Sequence, residues 1–254
     1  MILLVDAGNT RIKWRVVDRL ELLGSGAVPT AQVARLAELW QPFRARGALL
    51  SCVAPDAVRA ALTQMLAAAD IPMHWLVAER EKYGVLNLYA RPEQLGADRY
   101  AALIAAARLK LGDCVVASIG TATTIDRLDR HGVFLGGVII PGPDLMRTAL
   151  LGGTAQIESR MQSELAASYA VADADALPRS TASAVDAGIA LAQAGAINAL
   201  CALGSTVGQA ALPLILTGGG RGQVRDSLRM ERVEIEELVL DGLAWVAREV
   251  AWAN

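Results

Sequence analysis

The sequence predicts an α/β fold arranged as two similar layered domains that face each other across a central cleft. Three observations predict it. Over the first half, apolar runs and helical spacings follow one another as strand, strand, strand, helix, strand, helix, strand. Val5-Asp6-Ala7-Gly8-Asn9-Thr10 lies over Ala117-Ser118-Ile119-Gly120-Thr121-Ala122 at an offset of 112, and each is an apolar strand entering a small-residue turn. The chain of 254 residues is 54% hydrophobic and 20% charged, enough to bury a sizeable core and the opposite of a disordered composition.

Taken in order, residues 2–5 are a short apolar run that ends in Asp6. After a tight turn at Gly8-Asn9, apolar Ile12, Trp14 and Val16 alternate with Arg11, Lys13 and Arg15, the period of a strand. Residues 21–27 read as a third strand. Residues 30–44 carry helical spacing, with Val33, Leu36, Leu39 and Trp40 apolar. Residues 48–53 form a buried strand, Pro55 suits the first turn of a helix over 56–69, and 73–77 is another short strand. The second half begins near Leu111, which divides the chain into domains 1–110 and 111–254. There, 114–119 is a strand leading into Gly120-Thr121-Ala122-Thr123-Thr124, and 133–140 is a strand interrupted by Gly136-Gly137. Pro141-Gly142 opens a helix through Leu151, and Ser180 or Thr181 caps a long Ala-rich helix. Residues 214–216 feed Thr217-Gly218-Gly219-Gly220, and 240–252 is an amphipathic helix with Leu243, Val246 and Val250 on one face.

Composition excludes several classes of function. Lys and Arg number 24 against 26 Asp and Glu, so the net charge of −2 supplies no field for nucleic acid or an anionic membrane. Cys52, Cys114 and Cys201 are odd in number and far apart; they make no disulfide framework and no CxxC site, and they fit a reducing cytoplasm. The start MILLVDAGNT has no basic leader and carries an acid at position 6, unlike a signal peptide. Residues 187–220 carry no formal charge and are long enough to span a bilayer. Gln193, Asn198, Gln209 and Pro213, among weakly hydrophobic Ala and Gly, make that run a buried helix followed by a strand instead.

Three glycine turns follow apolar strands: Asp6 to Thr10, Gly120 to Thr124, and Gly218 to Gly220. Glycine lets backbone approach a ligand, and turn N–H groups with Asn9, Thr10 and the threonine hydroxyls can donate to phosphate oxygens. Asp6 can hold a metal-bound water, and Lys13 can meet a phosphate. One such turn is equally an ordinary hairpin; three suggest strand ends converging on a polyphosphate. Neither GxxxxGK[ST] nor a strand-linked GxGxxG is present. Gly96-Ala97-Asp98-Arg99 opens a helix running to Lys110. An acid there caps free N–H groups; alternatively Asp98 is a carboxylate base beside a guanidinium that orients an anion. Tyr89 lines a pocket or covers the core. His74 and His131 are isolated, Asp126 and Asp129 read as solvated around a hairpin, and the five tryptophans read as packing residues.

Together these pieces resemble the type III pantothenate kinases, the family that includes the Bvg accessory factor. The resemblance rests on Asp6-Ala7-Gly8-Asn9-Thr10 with Lys13, Ser51-Cys52-Val53-Ala54-Pro55, Gly96-Ala97-Asp98-Arg99, Gly120-Thr121-Ala122-Thr123-Thr124, Gly136-Gly137-Val138-Ile139-Ile140-Pro141-Gly142 and Thr217-Gly218-Gly219, in family order. It implies two ribonuclease-H-like domains of the sugar-kinase, heat-shock-chaperone and actin superfamily. It implies transfer of the ATP γ-phosphoryl group to the 4′-hydroxyl of pantothenate, the first step of coenzyme A synthesis, with Mg²⁺ and a monovalent cation, K⁺ or NH₄⁺. It implies a homodimer whose partner subunit closes the pantothenate pocket. By the same resemblance, Asp6, Ala7, Gly8, Asn9, Thr10, Arg11, Ile12 and Lys13 form the first ATP phosphate loop, and Thr121 contacts phosphate. Asp98 is the general base, Tyr89, Gly96, Ala97, Asp98 and Arg99 contact pantothenate, and Thr181 reaches it across the dimer.

Two positions depart from the family pattern. Ser118 stands where many members carry an acid that binds the monovalent cation, and Arg91 stands where an Asn usually precedes Pro92. A neutral hydroxyl is a poorer K⁺ ligand, so the expectation is either weaker cation dependence or a cation placed differently. The alternatives are a regulatory protein that kept the fold without the activity, and a kinase or phosphatase of the same superfamily acting on another substrate.

Overall fold

A computed structural model of the chain describes residues 1–19, 21–153, 177–203, 211–228 and 230–252. It comprises two compact units: Met1–Asp113 with Leu128–Gly136 and Glu237–Asn254, and Cys114–Arg127 with Gly137–Glu236. Neither is the contiguous 1–110 or 111–254 expected from sequence.

In the first unit a central apolar strand, β1 (Ile2–Ala7), organises a five-stranded sheet. β2 (Arg11–Asp18) and β3 (Glu21–Pro29) follow as an antiparallel meander, while β4 (Ala48–Cys52) and β5 (Met73–Trp75) add in parallel on the other side. The order is therefore β3-β2-β1-β4-β5. Residues 2–5 of β1 are all buried, as expected of an unbroken apolar run with layers on both faces. In β2 the period-two pattern holds: Ile12, Trp14 and Val16 are buried, and Lys13 and Arg15 are only partly so. Leu36 and Trp40 of α1 (Leu36–Trp40) and Leu62 and Leu66 of α2 (Asp56–Ala68) close this core.

The single helix expected over 30–44 is a correction. A 3₁₀ segment, Thr30–Arg35, precedes the short α1, and Gln32 leaves helical geometry at φ −108° and ψ 29°. Thr30 is the cause: its hydroxyl donates to Gly8 O at 2.8 Å and its N–H to Thr10 O at 3.0 Å, tying this segment to the β1–β2 turn. A small hairpin of β6 (Glu81–Lys82) and β7 (Val85–Asn87) follows, and β7 also pairs with Val133 and Phe134. The helix after it, α3 (Ala97–Arg108), is buried without a break from Arg99 to Ala106.

In the second unit β8 (Cys114–Ile119) is followed by β9 (Ala122–Leu128) and β10 (Val133–Pro141), whose connection, Leu128–Gly136, belongs to the first unit. After helices α4 (Pro143–Gly153) and α5 (Thr181–Ala202), β11 (Leu214–Thr217) pairs in parallel with β8 and with β12 (Arg232–Glu234). The strand order β12-β11-β8-β9-β10 repeats β5-β4-β1-β2-β3 position for position. Ser180 caps α5 through a capping box with Ser183. Val185, Ile189, Gln193, Ile197 and Cys201 form its buried stripe at intervals of one helical turn. Among the described residues α5 is the one helix long and apolar enough to cross a membrane by length and composition, and the lower half of its stripe packs into the core of this unit. Part of the uncharged run, 204–210, lies outside the described residues. Asp126, expected to be solvated, is 2% exposed; it sits on β9 against Gly137, where any side chain would overlap its carboxyl group.

The last helix, α6 (Leu238–Val246), returns to the first unit and is shorter than the 240–252 expected. It packs on α3 at Gly242, whose missing side chain admits the Ala101 carbonyl. This close approach explains the discontinuous unit.

Candidate active site

Asp6 stands near the end of β1, opposite Lys13 in the antiparallel register and opposite Ser51 in the parallel one. The turn beyond it is closed by Gly8 N–H donating to Arg11 O at 3.1 Å. A Cβ at Gly8 would lie 3.2 Å from that oxygen, so glycine suits the turn. Asn9, Thr10 and Arg11 are exposed around its tip, while Ala7 and Ile12 are buried beneath it. The N–H groups of Val53 and Ala54 donate to Ala7 O at 3.0 and 3.2 Å and dock the 51–55 segment on the end of β1.

The residue Asp6 is partly accessible, but its Oδ1 is fully buried and has no hydrogen-bond partner among the described residues. Burial pushes its pKa up to about 7, with the Asp98 carboxylate and then Glu237 adding to the rise. The Lys13 ammonium and the Ser51 hydroxyl pull the other way. Ser51 exerts only a weak pull; its Oγ likewise closes no hydrogen bond by geometry among the described residues. Lys13 Nζ lies 2.9 Å from Glu237 Oε2.

Asp98 sits in the first turn of α3, where Gly96 is the N-cap. Its Oδ1 accepts the Arg99 N–H at 2.7 Å, so the capping role and the proximity to a guanidinium are both realised. A Cβ at Gly96 would come 2.6 Å from this oxygen. Burial raises the pKa of Asp98; the Arg99 N–H and charge oppose the rise. Arg99 is 7% exposed. Its Nη1 donates to the Tyr89 hydroxyl at 3.0 Å, and its guanidinium carbon lies 5.7 Å from the ring centres of both Tyr89 and Phe134. Asn87 Oδ1 accepts the Tyr89 N–H at 3.0 Å, and its amide donates to Pro92 O at 3.0 Å, which fixes the segment that carries Tyr89. Arg91, the second departure, is exposed.

In the second unit, Ser118 pairs in register with Thr217. Gly120 N–H donates to Ala122 O at 3.0 Å, Gly142 N–H to Thr121 O at 2.9 Å and Gly220 N–H to Ile119 O at 2.9 Å. Three glycine segments therefore meet around the β8–β9 turn, with the Thr121 side chain exposed. Gly218, at φ +93°, faces the Ile119 backbone so closely that no Cβ fits. Thr181 is the first residue of α5 and is part-buried.

The first unit thus gathers Asp6, Lys13 and Asp98 into one electrostatic group and joins Tyr89 to Arg99; Thr121, Ser118 and Thr181 belong to the second. Glu237, Phe134 and Asn87 were not foreseen. Asn87 sits two residues before Tyr89 and Phe134 in a strand run, but only tertiary pairing reveals them. Among the described residues, no group of three or more His, Cys, Asp and Glu side chains is placed to hold a metal ion directly.

Two strand-turn units with the same strand order, each bearing a glycine turn and one of them desolvated carboxylates, make up a duplicated α/β fold that solved structures share. A solved Campylobacter jejuni protein assigned to the Baf family of transcriptional activators superposes with a TM-score of 0.58 at 20% identity, covering 97% of this chain and 98% of that one. The activator of 2-hydroxyisocaproyl-CoA dehydratase from Clostridium difficile, solved with bound ADPNP, superposes at 0.52 and 12% identity over 100% and 99% of the two chains. These likenesses show the fold. The family model for type III pantothenate kinase matches residues 2–203. A type III pantothenate kinase from Azoarcus sp. (strain BH72) is 44% identical, with 97% of this chain and 90% of that protein covered. The chain belongs to the type III pantothenate kinase family.

Proposed function

We propose that this chain carries out its family's reaction, ATP-dependent phosphorylation of pantothenate at the start of coenzyme A synthesis, with Asp98 as the base. The carrying observation is the desolvated Asp98 carboxylate, held at the start of α3 beside the buried Arg99.

Phosphoryl transfer asks the protein mainly for positioning and charge neutralisation. Asp98 accepts the proton of the 4′-hydroxyl, and burial raises its basicity above that of a solvated carboxylate. Arg99, oriented by Tyr89 and Phe134, meets the pantothenate carboxylate, with Tyr89, Gly96 and Ala97 beside it. The turn from Asp6 to Lys13 and Thr121 take the ATP phosphates, with exposed N–H and side-chain donors at the turn tips. The unpartnered, buried Oδ1 of Asp6 suits a hydrated Mg²⁺, which when bound neutralises phosphate charge. Ser118 and Thr217 offer neutral hydroxyls where a monovalent cation would ask for an acid, so the family's cation site is weak here.

A homodimer with Thr181 supplied across the interface fits β10, where Gly137, Val138 and Ile139 are exposed in succession. The three free thiols suit the cytoplasm. The test is ADP release by the purified protein with Mg-ATP, with and without pantothenate, in K⁺, NH₄⁺ and Na⁺ buffers. Pantothenate-dependent release supports the reading, and its absence in all three from folded protein moves the weight to a regulatory role.

A further inference from the structure

Lys13 and Asp6 are direct cross-strand partners on one face of the β1–β2 pair, an arrangement that ordinarily closes an ion pair. Here it does not close. The Lys13 ammonium is 2.9 Å from Glu237, and Asp6 Oδ1 is left buried without a partner among the described residues. Glu237 and Lys13 are each 25% exposed, so the pair is held away from bulk solvent.

The placement of Glu237 is structural in origin but not in use. It is the N-cap of α6, a position favoured by Ser, Thr, Asp or Asn, and its side chain makes no capping bond. It turns instead toward β2. One helical turn on, Asp241 pairs with Arg15. Four residues of helix rise about 6 Å and two residues of strand about 6.6 Å, so the pairs 237–13 and 241–15 form a matched ladder between α6 and β2. The ladder explains how Lys13 is held, and the Asp241 pair, farther from Asp6 along both elements, is its anchor.

We infer that Glu237 is a positioning residue: it draws Lys13 off Asp6, leaving the Asp6 carboxylate open and the ammonium poised for a nucleotide phosphate. The inference rests on the assignment of Asp6 and Lys13 to the phosphate loop. An ammonium has three donors, so Lys13 can keep Glu237 and still meet a phosphate oxygen. Without the Glu237 charge, Lys13 closes on its cross-strand neighbour and both groups are withdrawn from the nucleotide.

The test is Glu237→Gln, with Glu237→Asp as the conservative variant and Arg15→Gln as the control that breaks the anchor pair but leaves Glu237. MgADP affinity is measured by calorimetry, and KM for Mg-ATP and for pantothenate by ADP release. Glu237→Gln is expected to weaken MgADP and raise KM for Mg-ATP by about tenfold, the scale of one charged hydrogen bond, with the pantothenate KM unchanged. Glu237→Asp recovers most of that loss. Arg15→Gln lowers the melting temperature with a smaller change in nucleotide affinity. A crystal structure of Glu237→Gln should show Lys13 Nζ on Asp6. Wild-type MgADP affinity in Glu237→Gln, or Lys13 unmoved in its crystal structure, overturns the inference. Wild-type protein that binds MgADP but ignores pantothenate overturns the assigned reaction, while the calorimetry and the Lys13 position still decide the role of Glu237.

Discussion

The β1–β2–β4 and β8–β9–β11 segments are the same construction carried out twice with different chemistry. In each, a buried strand ends in a glycine turn whose N–H closes on the returning strand, from Gly8 to Arg11 O and from Gly120 to Ala122 O. In each, the carbonyl just before that turn, Ala7 or Ile119, accepts N–H groups from the segment after the parallel neighbour. The register also agrees: Asp6 faces Ser51, and Ser118 faces Thr217. The residue after the hydroxyl differs, Cys52 in one and Gly218 at φ +93° in the other. The first copy places a desolvated acid at its strand end; the second places hydroxyls and close-packed glycine. Duplication supplies scaffold geometry, and single positions then divide the labour between charge and backbone donors.

Substitutions at these positions break or sharpen the contrast. The largest effect is expected for Asp98→Asn, which should fold and bind MgADP yet lose turnover by about 10²–10⁴-fold, the range for a general base; rapid-quench assays against wild type check this. Gly218→Ala should destabilise by on the order of 3 kcal/mol, because the left-handed φ and the Ile119 backbone both oppose a Cβ. Cys52→Ala, at the matching position of the first copy, should cost far less, and denaturant midpoints decide between them.

Asp6→Asn should stabilise the nucleotide-free protein. Burial pushes the carboxyl pKa up to about 7 in the folded protein, well above the 3.8 of a solvated aspartate, so the folded state holds the extra proton between those values. Stability from this group is therefore present at low pH and lost as pH rises through about 7. After discounting for partial solvent screening, the gain from Asp6→Asn at pH 8 is on the order of 1–3 kcal/mol. A melting temperature that falls from pH 5 to 8 in wild type and stays flatter in the variant is the expected record. The smallest effect belongs to Ser118→Asp, which gives the second copy the acid of the first. The ratio of rates in K⁺ and Na⁺, expected to be near one in the wild type, should rise several-fold.

Much of this was legible in the sequence, and the failures have physical causes. β1, β2, β4 and β8 announced themselves through apolar runs and period-two alternation, and the offset between Asp6 and Ser118 anticipated the repeated strand order. The strands at Glu81–Lys82, Val85–Asn87 and Arg232–Glu234 are too short to carry a period. The helical spacing over 30–44 was real, yet Thr30 found partners in the β1–β2 turn and the first part tightened to 3₁₀. Leu39, one of the four apolar residues of that pattern, is accordingly exposed. Asp126 looked solvated because its partner strand's Gly137, which admits its carboxyl, lies eleven positions on. At the site, Asp6, Asp98 and Arg99 could be singled out by their turns, whereas Glu237 acquires its role only when α6 is laid along β2.

The seating of Gly242 on Ala101 also fixes an order of events at the ribosome. Residues 1–113 emerge before the second unit, and the helix that packs on α3 emerges only after it. The face of α3 around Ala101 must wait through synthesis of the second unit for its permanent cover. The first unit is thus completed only after the second has been made, and a nascent chain stalled before residue 238 presents that face to any passing chaperone.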